Sequence, residues 1–173
     1  MKVYPNRQGI IHFVEAIFPL IRRSIPNAKL CIVGERQKKY IDFLNSIEGV
    51  EIVGKVEDLV SEYQKATVVV VPLYYGSGTS IKFVEALLMN RPVVSSPVGV
   101  RGFSEICKDG VHYMLANNDD EFANKTIELL SLPLKAKEIA DNGYDVANKY
   151  YSQERFFEIV KETIQDAYSK SKS

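Results

Sequence analysis

Five residues, Thr67-Val68-Val69-Val70-Val71, run without alternation into Pro72-Leu73-Tyr74-Tyr75-Gly76-Ser77-Gly78-Thr79-Ser80, and that turn opens onto Ile81-Lys82-Phe83-Val84-Glu85-Ala86-Leu87. A continuous β-branched run reads as a strand buried on both faces, the kind found inside parallel sheets. The segment after Ser80 places apolar residues at helical spacing, so the glycine turn joins a strand to a helix. Such a junction is suited to phosphate. N–H groups at a helix start lack intrahelical acceptors, the helix dipole favours negative charge there, and glycine lets an oxyanion approach the main chain. Lys82 adds a cation in the first turn, and Glu85, at i+3 from it, can accept hydrogen bonds from sugar hydroxyls. The combination points to a sugar nucleotide. The turn alone also fits an ordinary connection in an open α/β domain, and Lys82 with Glu85 also fits a surface pair worth about 0.2–0.5 kcal/mol. The spacing is neither the Walker phosphate loop nor the Gly-x-Gly-x-x-Gly dinucleotide fingerprint.

Alternation of helical and strand patterns extends that reading along the chain. Ile10, Phe13, Val14, Ile17, Leu20 and Ile21 predict a helix over about Gln8 to Arg23, and Leu30 to Val33, ended by Gly34, predicts a buried parallel strand. A helix near Gln37 to Ser46, a strand at Glu51 to Val53, a short helix near Leu59 to Lys65 and a strand at Thr67 to Val71 follow. Ser80 to Met89 is the next helix, Pro92 to Ser95 a strand, and Val111 to Ala116 a last strand after the turn Lys108-Asp109-Gly110. Asp119 to Leu130, Leu134 to Tyr150 and Gln153 to Tyr168 read as successive helices, the last within a C-terminal helical stretch of 151–170. Asp119 and Ser152 are expected N-caps, Pro133 a break, and 171–173 a disordered end. The expected architecture is a single α/β domain: a Rossmann-like, open, mostly parallel sheet with helices on both faces, closed by C-terminal helices. Ligands of such sheets sit at the carboxyl ends of the strands, where the Tyr74–Ser80 loop lies. The first strand looks truncated, because only Met1 to Asn6 precedes the first helix and Pro5 cannot donate to a ladder.

Composition narrows the function further. Lys plus Arg and Asp plus Glu number 22 each among 173 residues, which argues against holding nucleic acid or an anionic membrane by bulk charge. Any bound anion must be caught locally. Cys31 and Cys107 have no metal-ligand spacing and are expected to be reduced thiols, and no metal site is predicted. No run of about 18 apolar residues and no apolar leader region is present, so the expected setting is cytoplasmic, with a peripheral role at the inner face of a membrane open. His12 and His112 are expected to be structural.

The order Gly76-Ser77-Gly78-Thr79-Ser80-Ile81-Lys82-Phe83-Val84-Glu85-Ala86-Leu87, then Asn90-Arg91-Pro92-Val93-Val94-Ser95-Ser96, then Val98-Gly99-Val100-Arg101-Gly102-Phe103, resembles the nucleotide-sugar-binding C-terminal half of GT-B retaining glycosyltransferases of family 4. Tyr4-Pro5-Asn6, Ile25 to Gly34, Val53 to Leu59 and Tyr151 to Phe156 are similar as well. The resemblance implies a nucleoside diphosphate sugar donor, UDP- or GDP-linked, bound with no cofactor and no essential metal, and a glycan or lipid-linked acceptor. It implies that Lys82 neutralises the diphosphate, that the backbone of Gly78, Thr79 and Ser80 donates to its oxygens, and that Glu85 holds the ribose hydroxyls. Val56 and Glu57 would flank the base, and Gly99 to Phe103 would line the opposite wall. Lys82 and Glu85 are thus the residues expected to serve catalysis. Many members carry a Glu eight positions before Glu85, contacting the donor sugar, where this chain has Ser77. The basic pair that many members use to clamp phosphate has Arg7 as its nearest candidate, which also reads as a surface residue. An N-terminal acceptor-binding domain is the implied partner. A non-catalytic, stand-alone donor-binding subunit is the alternative, while a sugar-nucleotide epimerase lacks a visible carboxylate and histidine set for proton abstraction.

Overall fold

In the computed structural model, residues 4–34, 43–44, 46–76 and 78–151 are described. Their elements in order are α1 (Tyr4–His12), a π-helical turn (Phe13–Ile17), α2 (Phe18–Ser24), β1 (Leu30–Val33), β2 (Val50–Gly54), α3 (Leu59–Lys65), β3 (Val69–Val71), α4 (Ile81–Leu88), β4 (Val93–Ser95), β5 (Met114–Leu115), α5 (Asp119–Ser131) and α6 (Pro133–Tyr151). Most of the helix expected over Gln37 to Ser46, the helix from Gln153 and the cap at Ser152 lie outside the described residues.

Every strand pairing among the described residues is parallel: β1 with β2 (Leu30 opposite Val50), β3 with β4 (Val69 opposite Val93) and β4 with β5 (Val94 opposite Met114). Among the described residues these form two ladders, β1-β2 and β3-β4-β5, rather than the one continuous sheet expected. The valine run shows why its strand is uninterrupted by polar residues. Val69 and Val71 face a core with Phe83, Ala86, Leu87, Val93, Phe103, Tyr113 and Ala147, while Val68 and Val70 face another with Phe13, Ile17, Phe18, Val94, Met114 and Phe122. Helices cover both faces, so successive side chains alternate between two apolar layers. Val14, Ile32 and Leu44 form a third cluster beside β1-β2.

The described part of the chain opens on a helix. Residues from Tyr4 are helical, and Pro5 sits in the first turn of α1, where an N–H would have no intrahelical acceptor anyway. The predicted single helix over Gln8 to Arg23 is also divided. Pro19 cannot donate to the carbonyl of Glu15 and its ring crowds that carbonyl, so the preceding turn relaxes into a π register in which Phe18 N–H reaches Phe13 O. The cap of α5 moves by one residue: Asn118, not Asp119, accepts from Glu121 N–H, at 2.9 Å. The break expected at Pro133 falls one residue earlier, at Leu132, and Pro133 is the first residue of α6.

The two cysteines differ in reach. Burial pushes the Cys107 thiol up to about 11, whereas Cys31 lies exposed on β1. A thiol reagent at pH 8 is expected to label Cys31 alone in the native protein and both after denaturation, read by mass spectrometry of the intact chain. His112 accepts a hydrogen bond at Nδ1 from Lys108 N–H, at 3.0 Å, which requires an unprotonated nitrogen. Burial, with a smaller push from Lys108, holds its pKa below the ordinary value. Between the folded pKa and about 6.5 the unfolded chain therefore binds more protons, so His112 stabilises the fold above that window and this stability is lost as pH falls through it. His112→Gln is expected to flatten the decline in urea midpoint between pH 8 and pH 5.

Candidate anion-binding site

The site is built where β3 ends. Ser96, buried just beyond β4, donates through Oγ to Leu73 O and accepts from Leu73 N–H at 3.1 Å, which staples the exit of β3 to the exit of β4. From there the chain turns outward: Tyr75 is 67% exposed, Gly76 adopts φ +138°, and Gly78 has no neighbour within 4 Å of where a Cβ would stand. Gly76 thus occupies a backbone region that side chains rarely enter, and Gly78 leaves the main chain open to an approaching ligand.

The helix that follows is left without a side-chain cap. Asp58 caps α3 by accepting from Ser61 N–H at 3.2 Å and Asn118 caps α5, but Ser80 at the N-cap of α4 makes no capping bond. Its Oγ is buried without a hydrogen-bond partner, on a residue only 6% exposed. Phe83 N–H turns back to Ser80 O at 3.0 Å, and the N–H groups of Ile81 and Lys82 have no acceptor within the helix. The first turn of α4 thus leaves N–H donors without an acceptor from the helix or from its cap residue. The Lys82 side chain stands exposed in its first turn.

Glu85 is partly buried, and Tyr63 of α3 donates its hydroxyl to Oε2 at 3.3 Å. Burial, reinforced by the Glu85 charge, raises the Tyr63 pKa well above its ordinary value, so it remains a donor at all physiological pH. Among the described residues no ion pair joins Glu85 to Lys82, so the surface-pair reading of those two has no counterpart in the structure. Glu85 keeps Oε1 for another donor. Val56 and the exposed Glu57 follow β2, directly ahead of the Asp58 cap, at a strand carboxyl end as the sequence pattern placed them. Ser77 lies outside the described residues.

Gly99 is buried, and a Cβ on it would stand 2.2 Å from Ser95 Oγ, so its smallness answers to packing under the turn. The residues of that turn that come to the glycine turn after β3 are Arg101 and Gly102. Arg101 Nη1 donates to Gly76 O at 2.7 Å, and a Cβ on Gly102 would meet Thr79 Cγ2 at 2.4 Å. In the sequence Arg101 falls within the stretch Gly99 to Phe103 expected to line the wall opposite the turn, with no role apart from its neighbours; the available signal was its charge inside a glycine turn. Arg91, the other cation of the motif, is committed to structure, donating to the carbonyls of Met89, Gln64 and Ala66.

A polar cluster borders the loop on its other side. His12 Nε2 lies 2.8 Å from Asp119 Oδ1, and the His12 ring packs edge-on against Tyr74 with centroids 4.8 Å apart. Burial, helped by the Asp119 charge, pushes the Tyr74 hydroxyl up to about 12. His12 therefore joins α1, the β3 exit and the start of α5. Among the described residues no cluster of three or more His, Cys, Asp or Glu is placed to hold a metal, and no helix is long and apolar enough to cross a membrane.

This fold recurs in known proteins. A protein described as an uncharacterized glycosyltransferase of Methanocaldococcus jannaschii is 29% identical over 143 residues, covering 79% of this chain and 40% of that protein. Among solved structures, the Anabaena protein HepE in complex with UDP superposes with a TM-score of 0.74 at 19% identity, over 87% of this chain and 44% of that one. The C-terminal domain of the glycosyl transferase group 1 family protein LpcC of Francisella tularensis does so with a TM-score of 0.69 at 21% identity, over 87% of this chain and 82% of that one. The chain spans 40–42% of the length of the curated relatives it matches. The fold is the parallel α/β fold of GT-B glycosyltransferases. The sequence pattern described as Glycosyl transferases group 1 matches residues 1–132, and the chain belongs to that family.

Proposed function

We propose that this chain is the donor-binding part of a retaining, family 4 glycosyltransferase, holding a UDP- or GDP-linked sugar for transfer to a glycan or lipid-linked acceptor. The observation that carries the reading is the uncapped start of α4: open N–H groups, a glycine approach at Gly78, a buried unpartnered Ser80 Oγ and a lysine in the first turn. HepE, which shares the fold, was crystallised in complex with UDP, and that supports the same chemistry here. In this reading the main chain of Gly78, Thr79 and Ser80 donates to the diphosphate, Lys82 offsets its charge, and Glu85 takes the ribose hydroxyls on the oxygen that Tyr63 leaves free. Val56 and Glu57 flank the base.

Catalysis then rests on stabilising the leaving diphosphate. In front-face transfer the sugar–oxygen bond to the diphosphate breaks as the acceptor oxygen bonds to the same face of the anomeric carbon, and the departing phosphate takes the acceptor proton. Dipoles and a cation arranged in advance favour that charge without reorganisation. No general base from this chain is required. The acceptor is held by a second domain, and the exposed Tyr75 and Ile81, 67% and 65% accessible beside the loop, suit a face that such a domain covers. The setting proposed is cytoplasmic, at the inner face of the membrane for a lipid-linked acceptor.

Calorimetry with UDP, GDP, ADP and inorganic pyrophosphate tests the reading. Binding of a nucleoside diphosphate is expected, and the absence of binding by any of the four overturns it. Glu85→Gln is expected to weaken the nucleoside diphosphate by about tenfold, as loss of a charge-assisted hydrogen bond, while leaving pyrophosphate unchanged. Equal loss for both ligands removes the ribose role.

A further inference from the structure

Resting on that donor-binding reading, we propose that Arg101 is a positioning residue: it ties down the turn between Tyr74 and Thr79 before ligand arrives and so sets its affinity for a diphosphate. The turn that carries Arg101 is anchored from below. Phe103 is 5% exposed and packs on Phe83 of α4 with ring centroids 5.3 Å apart, and Phe103 N–H closes on Val100 O at 2.9 Å. From that fixed base the upper side of the turn meets the phosphate loop twice. Arg101 Nη1 reaches Gly76 O across 25 positions of sequence, and Gly102, at φ +88°, leaves the space that the Thr79 methyl fills.

The Tyr74 ring, packed on His12, anchors the start of the loop, and the described residues after it have few ties. The main chain of the described residues Tyr74, Tyr75, Gly76, Gly78 and Thr79 makes no other hydrogen bond among the described residues. Gly76 and Gly78 give this segment more conformational freedom than any other residues would, and every residue ordered only on binding costs affinity. A tie made in the free protein removes part of that cost. A guanidinium suits the task because its several N–H groups hold one carbonyl without giving up the charge. Arg91 cannot substitute, since its donors are taken by the carbonyls of Met89, Gln64 and Ala66.

The full chain with Arg101→Ala, beside wild type, decides the matter through two readings. Amide hydrogen exchange without ligand is expected to quicken severalfold for residues 75–82 in the variant and to stay unchanged elsewhere. Calorimetry is expected to show UDP and inorganic pyrophosphate weakened by the same factor, about fivefold to tenfold, with the slope of log affinity against log salt unaltered. Arg101→Lys, which keeps one donor, is expected to recover part of both effects. Unchanged exchange in Arg101→Ala overturns the proposal. So does a weaker affinity with a shallower salt slope and unchanged exchange, which would make Arg101 a direct contact of the anion. Wild-type chain that binds neither ligand overturns the donor reading and this proposal with it; wild-type binding that Arg101→Ala leaves untouched overturns this proposal alone.

Discussion

Gly9→Ala is expected to destabilise the protein by about 3 kcal/mol or more, enough to threaten folding of a domain with ordinary marginal stability. A glycine inside a helix costs about 0.5–1 kcal/mol relative to alanine, so Gly9 in α1 should have a reason, and the structure supplies it. A Cβ there would lie 1.8 Å from the Pro72 carbonyl oxygen and 3.0 Å from its carbon. Neither side can yield cheaply. Pro72 is buried at the exit of β3 and the next residue is stapled to Ser96, while α1 continues into Phe13, Ile17, Phe18 and Ile21, which fill the core on that face. Inserting a methyl must push the helix off the strand exit and open the core behind it. Gly78→Ala is the control, because nothing lies within 4 Å of its Cβ position, and it is expected to leave the urea midpoint within experimental error of wild type. Equal midpoints for Gly9→Ala and wild type would show that α1 does not approach Pro72 this closely.

That contact marks a boundary of what could be read in advance. The strand-to-helix junction at Val71–Ile81, the alternation of elements and the helices on both faces followed from patterns of one to four residues. Valine runs and 3.6-residue periodicity carry that information locally. Gly9 sits inside the expected first helix, yet its partner is 63 positions away, and no local pattern announces a helix crossing a strand exit. The π turn before Pro19 was open to prediction from the missing N–H, but the apolar positions from Ile10 to Ile21 read as one helical stripe. Gly78, Thr79, Ser80, Lys82 and Glu85 stand on the turn and the helix that order and spacing predict. Arg101 was legible only as part of the stretch Gly99 to Phe103, and Tyr63 not at all, because their particular contacts are with Gly76 and Glu85, 25 and 22 positions distant. The division of the sheet into two ladders was equally hidden: which strands pair depends on crossovers, and short runs such as Val69–Val71 specify a strand without naming its neighbours.

Lys82→Ala separates binding from stability more sharply than any other change in the site. Its ammonium group stands exposed in the first turn of α4, at the positive end of the helix dipole, where a cation is unfavourable by about 0.3–1 kcal/mol. Among the described residues no carboxylate pairs with it to offset that placement. Alanine also has the higher helix propensity, so the variant is expected to melt at or slightly above the wild-type temperature. Its affinity for UDP is expected to fall by about 1.5–3 kcal/mol, roughly tenfold to 150-fold, as the charge-assisted hydrogen bond to the diphosphate is lost. Pyrophosphate should lose the same factor, since in the proposed site the lysine meets phosphate and not the nucleoside. The two measurements pull in opposite directions only if Lys82 serves an anion: a residue retained for stability would lower the melting temperature on removal, and a surface lysine without a ligand would leave the UDP affinity where it was.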